Sequence, residues 1–327
     1  MTEPAHGPES RAAVLAALGA NFAIAVGKFI AGILTGSAAM LAEAGHSVAD
    51  TVNQVFLLIG INLSGTLPDE KHPHGYGKEA FFWSFLAAIF IFVAGAAFSF
   101  YEGIRTAVQS DEHVRTATEL AIAFGVLGMA LVFEVGSFTI AMRSLLAGAR
   151  RKAWSVARYI REAPDMTTKT VFFEDTAAIT GLIIAAGGLA LSETSGNEAW
   201  DAAASICIGF VLAAVSVMLG VQARNLLLGA AASEETRIGL HRVLMTFPEV
   251  EGVMRMLTMQ LGSNSVLVTG ELRVRRDLTT EQIEELLRSI DRKVAQDVPE
   301  VSETFWELSR QANGRPLRPS AGANPRG

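Results

Sequence analysis

The chain has 327 residues, half of them hydrophobic and only 18% charged, and its mean hydropathy is +0.34. A soluble chain of this size carries nearer a quarter of charged residues, so composition points away from an all-aqueous protein. The net charge of −6 gives no attraction for nucleic acid, and the single cysteine, Cys207, excludes an intramolecular disulfide or a thiolate metal cluster.

The polar, acidic stretch MTEPAHGPESR reads as an N-terminal tail over 1–11, and the apolar run after it is too long for a signal-peptide core. A hydrocarbon core of about 30 Å needs roughly 20 apolar residues in a helix. Six stretches qualify, at 12–34, 38–63, 79–104, 116–141, 164–190 and 199–223. They predict a helical membrane domain over 12–230 with six transmembrane helices. Arg143, Arg150, Arg151, Lys152, Arg158 and Arg161 between the fourth and fifth spans predict a cytoplasmic connection. Lys71 and Lys78 follow the second span on the same side, which places both termini in the cytoplasm of a multi-pass inner-membrane protein. Cys207, alone in its span, is expected in the core.

Charges return from residue 233 onward. SEETRIGLHRVLMTF predicts a helix, and GVMRMLTMQL and SVLVTGELRVR predict strands joined by a GSNS turn. TTEQ resembles a capping box opening a helix whose inner face is Ile283, Leu286, Leu287, Ile290 and Val294. VSETFWELS predicts a third strand. The reading is therefore a small cytoplasmic α+β domain of order α-β-β-α-β over 233–311, followed by a disordered tail over 312–327.

Ionisable groups inside spans are expensive and normally face a bundle interior or an ion path. In GHSVADTVNQ, His46 and Asp50 stand one helical turn apart on one face, continued by Asn53 and Gln54. VFFEDTAAITG carries Glu174 and Asp175. At 1.5 Å per residue, Asp50 lies roughly 18 Å and Asp175 roughly 16 Å into antiparallel spans, so both carboxylates arrive near mid-membrane. Imidazole with carboxylate suits Zn²⁺ or a neighbouring first-row divalent ion. Such ligands bind metal only when deprotonated, so metal entry expels protons.

These residues resemble the cation diffusion facilitator family. The likeness is carried by GSAAMLAEAGHSVADTVNQ, HPHGYGKE, EDTAAITG and the soluble tail, and by their order. The ED pattern is similar to the branch that includes mitochondrial zinc transporters. The resemblance implies a homodimeric, proton-coupled exporter of divalent metal, usually zinc, with iron, cobalt, manganese or cadmium as other substrates. It also implies a site drawing on the second and fifth helices, with His46, Asp50 and Asp175 as ligands. The fourth family position falls on Val171, which binds no metal, so the neighbouring Glu174 is a candidate ligand or proton carrier.

Asp69, His72 and His74 in LPDEKHPHGYGK are candidates for a second metal site, against a plain solvated turn. In the tail, Met254, Glu271 and Glu307 stand at the approximate family ligand positions, which suits a dimerisation scaffold better than a zinc site. Glu134 is a proton-relay candidate. Asn21, Lys28, Glu134 and Asp201 are candidates to line a water path; for Lys28 the alternatives are pairing with an acid or snorkelling, and Asp201 is expected at the outer interface. Neither HExxH nor GxSxG occurs, which argues against an intramembrane hydrolase, and no Walker sequence is present. The reading is a transporter and not an enzyme, without an organic cofactor. The alternative is a membrane metal sensor that keeps the site without the transport.

Overall fold

The structure is a computed structural model that describes residues 8–109, 115–163 and 166–309. Of the expected tail over 1–11, residues 1–7 lie outside the described residues and Pro8–Arg11 belong to the first helix; the expected tail over 312–327 lies outside them entirely. The chain divides into two compact units, Met1–Leu227 and Leu228–Gly327.

The first unit is a helical bundle. Its long rods are α1 (Pro8–Thr35), α2 (Ala38–Ser64), a third built from α3 (Glu79–Phe90), a π-helical segment (Ile91–Ala97) and α4 (Phe98–Gln109), then α5 (Ala117–Arg151), and after the short α6 (Val156–Glu162) α7 (Met166–Ser195) and α8 (Ala199–Leu227). Among the described residues, Glu79–Gln109, Ala117–Arg151, Thr168–Ser195 and Ala199–Leu227 are long and apolar enough to cross a membrane. In α1 the described apolar stretch is the shorter Asn21–Thr35. Helix α2 carries the polar stripe that the sequence singles out.

Burial in this unit is inverted relative to a soluble fold. Small residues fill the helix seams, among them Ala31, Ala39, Ala42, Ala123, Ala130, Ala177 and Ala185. Large apolar side chains such as Phe22, Ile33, Val132, Ile140 and Phe210 face outward. Lipid tails remove the aqueous drive between helices, so close van der Waals packing of small residues holds such a bundle. Cys207 faces outward with these residues and not the core, as befits a weakly polar thiol in an apolar surrounding.

The turns are short and chemically specified. Gly36 between α1 and α2 (φ 62°) and Gly196 between α7 and α8 (φ 65°) take the left-handed conformation that glycine adopts without penalty. Ser37 caps α2 by accepting from the Met40 N–H, and Thr116 with Glu119 forms a capping box on α5.

One end of the bundle is fastened by a buried polar cluster. Ser37 Oγ donates to Asp201 Oδ1 at 2.7 Å, and the Ala38 N–H donates to Asp201 Oδ2 at 2.6 Å. Arg115 Nε donates to the Thr35 carbonyl at 2.7 Å and Nη1 to Ser192 Oγ at 3.2 Å, while Nη2 stands 3.8 Å from Asp201. Termini of α1, α2, α5, α7 and α8 thus meet at one carboxylate and one guanidinium. Asp201 is fully buried at this end of the bundle, where the start of α2 supplies donors for both its oxygens.

The second unit contains α9 (Glu234–Leu244), β1 (Val250–Gly262), β2 (Ser265–Val274), α10 (Thr280–Asp297) and β3 (Val301–Ser309). β1 and β2 are antiparallel and β2 and β3 parallel, in the order β1-β2-β3. The two helices cover one sheet face around Leu240, Leu244, Val268, Leu272, Ile290 and Val294. Thr279 and Gln282 form the expected capping box.

Asp201→Ala removes the acceptor for the Ser37 hydroxyl and the Ala38 N–H and takes a carboxylate away from the buried Arg115. It is expected to destabilise the bundle by about 3–5 kcal/mol, read as a lowered midpoint of thermal unfolding in detergent. Glu198, partly exposed and 3.9 Å from Arg115, is the control: Glu198→Ala should cost no more than about 1 kcal/mol.

Candidate metal centre

Helix α2 builds one wall. Glu43, His46, Ser47, Asp50 and Asn53 recur at helical spacing and form one inward stripe. Glu43, His46, Ser47 and Asn53 are buried, and the Asp50 side chain is 14% exposed. His46 Nε2 stands 3.5 Å from Asp50 Oδ2 across one turn.

Helix α7 builds the other wall, with Glu174 and Asp175 both buried. Adjacent helical residues point about 100° apart, so the two carboxylates leave α7 in different directions. Glu174 meets α2, where Asn53 Nδ2 donates to its Oε2 at 2.5 Å. Asp175 therefore leaves α7 in another direction, with its Oδ2 buried and without a hydrogen bond.

The acceptors along this seam are concentrated and orphaned. His46 Nδ1 and Nε2, Asp50 Oδ1, Asn53 Oδ1, Glu174 Oε1 and Asp175 Oδ2 are buried without a hydrogen bond. A buried acceptor left unsatisfied costs about 1–3 kcal/mol, and a charged one more. One imidazole nitrogen and four oxygens in one seam are chemically suited to a cation, and that mixture fits a first-row divalent ion.

The ligands do not close on one point, however. Among the described residues, no three His, Cys, Asp or Glu side chains are gathered tightly enough to hold one ion together. His46, Asp50 and Asp175 therefore do not share a single centre here, because α7 turns Glu174 toward α2 and Asn53 holds it at that phase. The arrangement is two half-sites, His46–Asp50 on α2 and Glu174–Asp175 on α7, bridged by Asn53.

Sequence reasoning passed over Glu43. It lies three residues before His46, the same kind of spacing that singles out Asp50, and it is fully buried. Lys28 meets it there, at 3.0 Å from Nζ to Oε2.

The loop after α2 has a structure of its own. Asp69 Oδ1 accepts the backbone N–H groups of Lys71 and His72, and Tyr76 donates its hydroxyl to Oδ2 at 2.8 Å. The His72 ring stacks near Tyr76, with centroids 4.2 Å apart, and Nδ1 lies 3.6 Å from Asp69. The His72 backbone bond, then the Tyr76 and Lys71 bonds, hold the Asp69 carboxyl below the usual carboxylate range. Asp69 is thus already engaged as the organiser of a turn, with His72 beside it.

In the second unit, Glu271 and Glu307 are register partners across β2 and β3, and Arg255 is paired opposite Glu271 on β1. These three line a groove of about 350 Å³ with Leu257, Phe305 and Trp306. An arginine beside the two carboxylates competes with any metal for them.

A family model described as the cation efflux transmembrane domain matches residues 14–228. The human mitochondrial proton-coupled zinc antiporter SLC30A9 is 33% identical over 284 residues, which is 85% of this chain and 49% of that protein. Metal tolerance protein C4 of Arabidopsis thaliana is 34% identical over 226 residues, 69% of this chain and 49% of the relative. The manganese efflux system protein MneP of Bacillus subtilis is 24% identical over 306 residues, covering 92% of this chain and 96% of MneP. The chain spans about half the length of the first two.

The Asp69 loop is open to a simple test. Because the folded carboxyl titrates below its unfolded value, the turn should be complete above about pH 4 and lost only as pH falls through the lowered value. Asp69→Ala should make Lys71 a rapid tryptic site at neutral pH while the number of zinc ions bound per chain stays unchanged. A stoichiometry lowered by one would show that the loop binds metal.

Proposed function

The chain belongs to the cation diffusion facilitator family, and on that premise we propose that it exports a divalent metal ion, zinc foremost, in exchange for protons. The observation that carries this reading is the row of orphaned buried acceptors between α2 and α7. His46, Asp50, Glu174 and Asp175 are the proposed ligand groups. Glu174 is the α7 carboxylate nearest α2 in the arrangement described, and Asp175 completes the set as the seam closes. The metal is cargo, so two half-sites that close and part serve it better than a rigid cage.

The proton coupling follows from the same chemistry. Carboxylate and imidazole must lose protons to take the ion and regain them when it leaves. Glu134 lies on α5 within electrostatic reach of Asp50, Glu174 and Asp175, and is the proposed relay between seam and solvent. Zinc agrees with the name of SLC30A9, and manganese with that of MneP. The basic α5–α7 connection supports cytoplasmic termini and export from the cytoplasm across the cell membrane.

We also propose a homodimer. The sheet face turned away from α9 and α10 presents exposed Leu257 and Phe305 around the groove, a self-complementary patch for a second copy. With Arg255 beside Glu271 on the neighbouring strand the contact needs no metal, so light scattering in detergent should give the dimer mass with and without chelator.

Flux separates the transporter from a sensor. Proteoliposomes should move Zn²⁺ and move it faster with an opposing proton gradient. Asp50→Ala should lower zinc affinity at least about 100-fold by calorimetry, a loss at or beyond the upper end of that for an outer-shell partner. Glu134→Gln should retain binding and lose the acceleration by the pH gradient. Binding without flux in the wild-type chain would favour the sensor.

A further inference from the structure

The polar stripe of α2 continues beyond His46 toward the Thr35–Ser37 turn, and there it meets a charge of the opposite sign. Lys28, on α1, is the bulkiest fully buried side chain among the described residues. Its ammonium donates to Glu43 Oε2 at 3.0 Å and to Ser47 Oγ at 2.8 Å. Ser47 is the next residue after His46, so the positive end of the pair is fastened beside the half-site. Glu43 Oε1 is buried without a hydrogen bond and turned toward α7. It lies against Gly181, where any Cβ would collide with it. The sequence therefore leaves out a side chain on α7, six residues beyond Asp175, where Glu43 needs room.

A lysine in this position is not there for packing. Inside a bundle the cheap solution is an apolar side chain, and replacing a buried ion pair by apolar groups is often neutral or stabilising. Nor does Lys28 snorkel, since it has no exposed surface and its three protons are directed into the α2 seam. What a fixed ammonium does here is electrostatic. Its charge acts on His46, Asp50 and Glu134, across a low-dielectric interior where such interactions are strong.

We propose that Lys28 is an affinity-setting residue of the cation path. Held beside His46 by Glu43 and Ser47, its fixed positive charge loosens the hold of the half-sites on a divalent ion, so that the ion leaves again within each cycle. Glu43 is the tether that keeps the ammonium from leaning onto Asp50 and competing with the ion outright. Both residues act through the ligands and are positioning residues.

The inference rests on the α2–α7 seam being the cation site, and the experiment separates the two. Zinc binding is measured by calorimetry at neutral pH on the full chain in detergent, for wild type, Asp50→Ala, Lys28→Gln and Glu43→Gln. Lys28→Gln removes the charge but keeps a donor for Glu43 and Ser47, and is expected to tighten zinc binding about tenfold. It should also slow zinc efflux from proteoliposomes, because release becomes limiting. Glu43→Gln keeps the ammonium and loosens its tether, and is expected to weaken binding severalfold. Both variants break the same ion pair, so a purely structural role predicts shifts of the same sign.

Shifts of the same sign, or a dissociation constant within twofold of wild type in Lys28→Gln, would overturn the proposal. Should Lys28→Gln fail to fold, Glu43→Gln decides alone, and unchanged or tighter binding there overturns it. If Asp50→Ala binds zinc as well as wild type, the seam is not the cation site, and the reading beneath the proposal fails instead.

Discussion

Every polar group placed inside this bundle must be satisfied by another part of the bundle, because hydrocarbon offers no hydrogen bonds. That constraint explains why α2 is the organising helix. Glu43 takes Lys28 from α1, Asn53 takes Glu174 from α7, and the start of the helix takes Asp201 from α8. Three helices are thus fixed in position and rotation about one. The apolar seams between them are filled by alanine and glycine, which permit close approach but specify register only weakly. Polar contacts along α2 supply the specificity that the small residues lack.

Where satisfaction is complete the bundle is closed, and where it is incomplete chemistry is left over. At the Asp201 end, both carboxylate oxygens accept hydrogen bonds and Arg115 is held on the Thr35 carbonyl and Ser192. Deeper in, the acceptors of His46, Asp50, Glu174 and Asp175 remain open. The contrast lies between groups of the same kind within one bundle, so it is not a general looseness of polar packing. Among the described residues at the Asp201 end only Arg115 Nη2 is left without a hydrogen bond, whereas the seam keeps open acceptors on four side chains that the proposed cation would engage.

Much of this was legible in the chain itself. Length and hydropathy place the helices, and the capping box at Thr279 and the run SVLVTGELRVR place α10 and β2 in the small domain. His46 and Asp50 stand out because charge inside an apolar helix is rare and their spacing puts them on one face. What spacing within a helix does not contain is the rotation of that helix about its axis against its neighbours. Whether Glu174 or Asp175 meets α2 differs by a turn of about 100°, and Asn53, whose role is visible only in three dimensions, decides it. The burial of Asp201 was hidden for a related reason: nothing near a carboxylate at the start of one helix shows that the N-terminus of another donates to it. Glu43 escaped notice because its partner comes from a helix fifteen residues earlier in the chain.

The packing around α2 is also unequal on its two sides, and the inequality suits a centre made of half-sites. On one side lies the third rod, where the π-helical segment Ile91–Ala97 gives way to α4. A Cβ at Gly45, the residue before His46, would fall 2.7 Å from the Phe98 ring and 2.9 Å from the Ala94 carbonyl. That contact is dry and close, and sliding along it would open voids that a close-packed interior resists. On the other side α2 meets α7 through small apolar residues, the Glu43–Gly181 contact and the Asn53–Glu174 hydrogen bond, with unsatisfied acceptors left beside them. The face of α2 that carries the proposed ligand groups is therefore the one on which polar groups remain open to exchange partners.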